Sequence, residues 1–137
     1  MLDVGRITYI LMLEAGSFSD WVTRNHIASL ERGKEVVYAA SLLHDIGRWE
    51  QYQTGESHAT ISARYARQLL EEIDFSEDEI EIVQAAIQEH RSQSCPKTVL
   101  GAFLQRADKL SRACWCCDAI LTCKERDHME TQLGPLC

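Results

Sequence analysis

Apolar residues recur at helical spacing from the first residues of this chain onward. Residues 2–14 set Val4, Ile7, Ile10 and Leu11 on one face, and Gly16 follows as a stop. Residues 34–45, KEVVYAASLLHD, are apolar almost all round, the pattern of a buried central helix, with Gly47 placed to end it. Between residues 57 and 72, Ile61, Tyr65 and Leu69 stand at i, i+4 and i+8. Ser76 and Glu79 make a capping box for a helix that turns Ile80, Val83 and Ile87 inward and closes on His90. Pro96 suits the first turn of a further helix running through Leu100, Phe103, Leu104, Ala107 and Leu110. Residues 17–33 are undecided, with room for a short helix around 21–30. The tail after Cys114 reads as polar and irregular. Nothing alternates long enough for a strand, and there is neither a linker nor an internal repeat. The expectation is one all-α domain over residues 1–137, five helices in a compact orthogonal bundle.

Composition narrows the partners. The chain has 137 residues, 45% hydrophobic and 26% charged, as a packed globular domain does, with a net charge of −7. That acidity repels phosphate backbones and argues against a nucleic-acid platform. A small phosphorylated substrate stays open, because a local metal charge outweighs the global field. No apolar run reaches the roughly 18 residues a membrane span needs. The first residues carry Asp3 and Glu14, with no basic leader and no cleavage-type ending, so they read as a helix and not a signal peptide. A cytoplasmic location follows as the expectation, where the six cysteines are free thiols or metal ligands before they are disulfides.

The candidate chemistry begins at His44–Asp45, a polar pair ending the buried helix. Such a pair is costly there unless satisfied. Alone it is also what a helix-terminal histidine beside a solvated carboxylate looks like. His58 starts one helix, His90 ends another, and Asp108 sits in an otherwise apolar one. An inward Asp108 needs a cation or a hydrogen-bond partner; an outward one would pair with Arg112 at i+4. Imidazole and carboxylate together suit Mn, Fe, Co, Ni or Zn, one or two ions, better than Mg. Arg48 and Lys109 are the candidate phosphate-holding cations, with Asp45 as the central catalytic carboxylate. Glu89 and Arg91 flank His90 and are candidates to orient it.

The segment AASLLHDIGR, ending in His44–Arg48, resembles the signature of the HD superfamily of metal-dependent phosphohydrolases. HDIGRWEQY, ESHA, EHR and ADKLSRAC resemble a small bacterial subgroup of it, and the match spans nearly the whole chain apart from residues 17–33 and the last dozen. The resemblance implies one metal on His44, Asp45 and Asp108, and a second on His58 and His90 that shares Asp45. It implies hydrolysis of a phosphate ester or anhydride, with a nucleotide among the candidate substrates. Family members carry a further metal-binding histidine ahead of the H-D pair, placed by the subgroup just before Leu2. The chain is therefore expected to be truncated at its N-terminus, with His26 as the candidate substitute against a reading as an exposed or capping histidine.

Two other readings belong beside this one. An incomplete ligand set would leave a helical module that binds a ligand without turning it over. Alternatively Cys114, Cys117 and Cys123, with the first two at zinc-knuckle spacing, would organise a structural zinc site. Reduced thiols without a metal are the plainer reading of those cysteines, with Cys95 and Cys137 standing further off.

Overall fold

The computed structural model describes residues 1–91, 96–119, 121–123 and 129. Its elements are α1 (Leu2–Glu14), α2 (Phe18–Arg24), α3 (Leu30–Leu43), α4 (Arg48–Thr54), α5 (His58–Glu71), α6 (Glu77–Glu89), α7 (Val99–Leu110) and a short 3₁₀ turn, η1 (Cys114–Cys116). Among the described residues there is no strand, so the all-α expectation holds. The expectation of five helices does not, because α2 and α4 are additional. No helix among the described residues is long and apolar enough to cross a membrane. Cys95 and Cys137 lie outside the described residues.

α3 is the central helix, packed against α1, α2, α5, α6 and α7. Its Val36, Val37 and Ala40 are wholly buried and meet Val83 and Ile87 of α6 and Leu104 and Ala107 of α7 in one core. It begins four residues earlier than the pattern implies, at Leu30, where the Ser29 hydroxyl accepts the Arg32 amide at 3.0 Å. Gly33 therefore lies inside the helix. A Cβ there would clash with Val22 Cγ2, so its bareness lets α2 press against α3. On α1 the buried stripe is Val4, Gly5, Thr8 and Met12, and Ile10 is exposed. On α5 Leu70 is buried and Leu69 exposed. α7 starts at Val99, not at Pro96. The Thr98 hydroxyl caps it by accepting the Gly101 amide at 3.1 Å, and Glu89 Oε2 accepts the Lys97 and Thr98 amides at 3.1 and 2.9 Å. Glu89 is thus spent on the α6–α7 connection and does not orient His90.

The starts of α3 and α6 are pinned together by one ion pair. Arg32 Nε and Nη2 donate to the two oxygens of Glu79, both at 2.8 Å, and Nη2 also donates to the Asp74 carbonyl at 2.6 Å. Glu79 closes the expected capping box as well, accepting the Ser76 amide at 2.9 Å. Fork-to-carboxylate geometry makes this a strong contact. The bond from Arg32 depresses the Glu79 pKa against the opposing effect of burial. A carboxyl depressed in the folded state stabilises fully above its unfolded value, and that contribution is lost as pH falls through the folded one. Glu79→Gln is expected to cost roughly 2 kcal/mol near neutral pH. The deficit relative to wild type should shrink as pH drops below the ordinary value of 4.5. Denaturant melts across that range check this; a deficit independent of pH would contradict it.

Candidate metal centre

The site is assembled from helix ends. His44 is the C-cap of α3 and His90 the C-cap of α6. The last carbonyls of a helix lack intrahelical partners, and both rings use them. His44 Nδ1 donates to the Ser41 carbonyl at 2.7 Å, and His90 Nδ1 donates to the Ile87 carbonyl at 2.5 Å. A carbonyl only accepts, so each Nδ1 carries the hydrogen and each neutral ring keeps its lone pair on Nε2. His58, the first residue of α5, reaches the same tautomer differently: Gln51 Oε1 accepts its Nδ1 at 2.5 Å and its backbone amide at 3.2 Å.

Those three Nε2 atoms converge. His58 Nε2 and His90 Nε2 stand 3.4 Å apart. Asp45 Oδ1 lies 3.1 Å from the first and 3.7 Å from the second. Asp45 Oδ2 is 3.8 Å from His44 Nε2, and Asp108 Oδ1 is 3.7 Å from the same nitrogen. His44 Nε2 is buried and, among the described residues, has no hydrogen-bond partner. Lone pairs and carboxylate oxygens facing one another at these distances repel unless positive charge sits between them. Donor atoms that share one ion at about 2.1 Å stand roughly 3–3.5 Å apart. His44, Asp45 and His90 offer ligand atoms within 4.8 Å of one another, and His58, His90 and Asp45 Oδ1 lie closer still, within 3.7 Å. His58 joins through Asp45 and Asp108 joins through His44. The donor set therefore fits a divalent metal. The C-termini of α3 and α6 add partial negative charge, against the single N-terminus of α5.

Both carboxylates also hold arginines, Asp45 through the oxygen that faces His44 and Asp108 through the oxygen turned away from it. Arg48 Nη1 is 3.0 Å from Asp45 Oδ2, and Arg112 Nη2 is 2.6 Å from Asp108 Oδ2. Asp108 thus does both things weighed for it, facing His44 with one oxygen and Arg112 with the other. Burial alone would raise both carboxyls. The adjacent histidines and Arg48 instead hold Asp45 well below the usual range, while His44 and Arg112 hold Asp108 at about 2. Burial also opposes a charged His44, but Asp108, the Ser41 carbonyl and Asp45 outweigh it and raise its pKa. His58 is lowered, chiefly by burial.

Gly47, two residues past the pair, does not stop α3; it stands at the N-cap of α4 with φ −86°. Its amide donates to Ser62 Oγ at 2.9 Å, and a Cβ would meet Ile61 Cγ2 at 2.5 Å and the Ser62 amide nitrogen at 2.8 Å. This contact keeps the chain after Asp45 pressed onto α5, beside His58.

Other candidates are not brought to the cluster. His26 is exposed, sits in the α2–α3 turn at φ +54°, and lines a separate groove with Arg24, Asp78 and Glu81. Lys109 is exposed, because neighbouring helical positions diverge by about 100° and Asp108 takes the inward one. Arg112, one turn on, shares the face of Asp108 instead. Cys114, Cys117 and Cys123 are free thiols, the last two exposed, and among the described residues no three cysteines reach ligand spacing. Gln51 is the residue that sequence reasoning missed altogether.

A metal at His44 must displace the proton that its raised pKa favours, so affinity should weaken as pH falls, starting above the ordinary value of 6.5. Titrations with Mn(II) or Zn(II) should show the dissociation constant rising roughly tenfold per pH unit for one displaced proton. A flat profile would contradict protonation at this nitrogen.

Comparison with known proteins agrees with this geometry. The family model described as HD domain matches residues 1–113. An uncharacterized protein of Clostridium beijerinckii is 34% identical over 127 residues, covering 93% of this chain and 71% of that protein. A ribonuclease Y of Lawsonia intracellularis is 39% identical over 74 residues, 54% of this chain but 13% of the enzyme. A ribonuclease Y of Syntrophotalea carbinolica is 38% identical over 89 residues, 64% of this chain and 16% of the enzyme. The chain thus spans a small part of those two ribonucleases. No solved structure matches.

Proposed function

Because this chain belongs to the HD domain family, of the superfamily of metal-dependent phosphohydrolases, we propose that it hydrolyses a phosphate ester or anhydride of a small molecule, with nucleotides as the first class to test. The observation that carries the reading is the buried His44 Nε2, without a hydrogen-bond partner among the described residues and flanked by Asp45 and Asp108. His44, Asp45 and Asp108 would hold one ion, and His58 and His90 a second that shares Asp45. Bound there, a divalent metal supplies Lewis-acid polarisation of the phosphoryl group and activation of water.

The chain's own part is binding and orientation. Arg48 donates to Asp45 and also pairs with Tyr52, Arg112 donates to Asp108, and both arginines are partly exposed. Their remaining donors are suited to phosphate oxygens. In this role Arg112 replaces the expected Lys109. The net charge of −7 favours a small substrate over a polynucleotide, even beside ribonuclease relatives. The free thiols of Cys114, Cys116, Cys117 and Cys123 suit a reducing compartment, so the proposal places the protein in the cytoplasm.

Phosphatase assays with Mn(II) or Co(II) test this on p-nitrophenyl phosphate and a panel of nucleotides. Activity should vanish with chelator and return with metal. Asp45→Asn should lower kcat about 10²–10³-fold. Arg112→Met should act mainly on KM, raising it roughly tenfold, equivalent to about 1.4 kcal/mol of binding. Hydrolysis indifferent to chelation would overturn the proposal.

A further inference from the structure

The three imidazoles of the centre are not held in the same way. His44 and His90 are tied to carbonyls three residues back on their own helices, so their orientation comes with α3 and α6. His58 is tied to a side chain on another element, Gln51 of α4. Gln51 Oε1 also takes the His58 backbone amide, a first-turn donor of α5 that the N-cap Ser57 leaves without a side-chain cap. One amide oxygen thus caps α5 and orients a ring of the centre.

α4 itself is unusual. It has seven residues, none of them buried, and polar contacts hold it in place. Arg48 reaches Asp45, Gln51 reaches His58, and Glu50 accepts from Tyr65 at 2.5 Å and Arg64 at 2.8 Å. No apolar face fixes it, so the position of Gln51 depends on these few bonds.

We propose that Gln51 is a positioning residue for one lobe of the centre: by fixing the tautomer and angle of His58 it sets affinity for the ion on His58, His90 and Asp45, and leaves the ion on His44 and Asp108 unaffected. The inference rests on the reading of the cluster as a metal centre. An outer partner of this kind fixes which nitrogen faces the metal and raises its basicity, and losing one costs 10–100-fold in metal affinity. Gln51→Leu removes the acceptor while keeping much of the volume. Gln51→Glu keeps an acceptor oxygen and adds charge that strengthens the imidazole as a donor.

The experiment is calorimetric titration of chelator-stripped protein with Mn(II) or Co(II), backed by elemental analysis after dialysis, on wild type and both variants. Metal-free melting curves run beside it to separate lost binding from lost fold. The expected result is two binding steps in wild type, of which Gln51→Leu weakens only one, by 10–100-fold. Gln51→Glu should hold that step at or above the wild-type affinity. Equal weakening of both steps, or no change in either, would overturn the positioning role while leaving the metal centre standing. Wild type that takes up no metal would overturn both.

Discussion

Three imidazole lone pairs and two carboxylates are turned toward one another inside this protein, and positive charge between them is what makes the arrangement tolerable. The closest approaches are the 3.1 Å between His58 Nε2 and Asp45 Oδ1 and the 3.4 Å between His58 and His90. Protons satisfy part of this demand, since the raised pKa of His44 lets it carry one between Asp45 and Asp108. They satisfy His58 poorly, because burial disfavours its charged form. Divalent metal held between these donors would satisfy the demand that protons leave. Burying such groups is expensive when they are left unpaired, and a fold that gathers five of them invests stability in the site.

The bundle keeps that cost low by building the centre from helix termini. Polar backbone groups are already unsatisfied there, so the His44 and His90 rings cap carbonyls while aiming Nε2 inward. The helices themselves are fixed by ordinary means: an apolar core around α3, the close approach at Gly33, and the Arg32–Glu79 pin at the far end of α3 from His44. Gly47 then brings the turn after Asp45 against Ser62, which places His58 within reach of the same carboxylate. Rigid packing at one level thus sets distances at the next.

Legibility in the sequence followed the source of each signal. α1 and α6 were readable because their apolar spacing and, for α6, the Ser76–Glu79 box are local properties. α4 was not, since it buries no residue and its contacts are to side chains far along the chain. Gly33 closes the undecided stretch in the sequence, because its role is set by Val22 on another helix. The residues His44, Asp45, His58, His90 and Asp108 stood out because polar groups at the ends and inside of apolar helices are conspicuous. Gln51 carried no such mark. The i+4 spacing of Arg112 from Asp108 was visible, but a surface pairing and an inward carboxylate looked like alternatives. The two oxygens of one carboxylate make them compatible. His26, Cys116, Cys117 and Cys123 are ligand-type residues that the fold leaves exposed.

Anomalous diffraction from crystals grown with Mn(II) tests the central claim most directly. The account predicts one or two anomalous peaks enclosed by His44, Asp45, His58, His90 and Asp108, with Asp45 touching each. Crystals of metal-saturated protein with no peak there, or with the ion held on Cys114 and Cys117 instead, would contradict it.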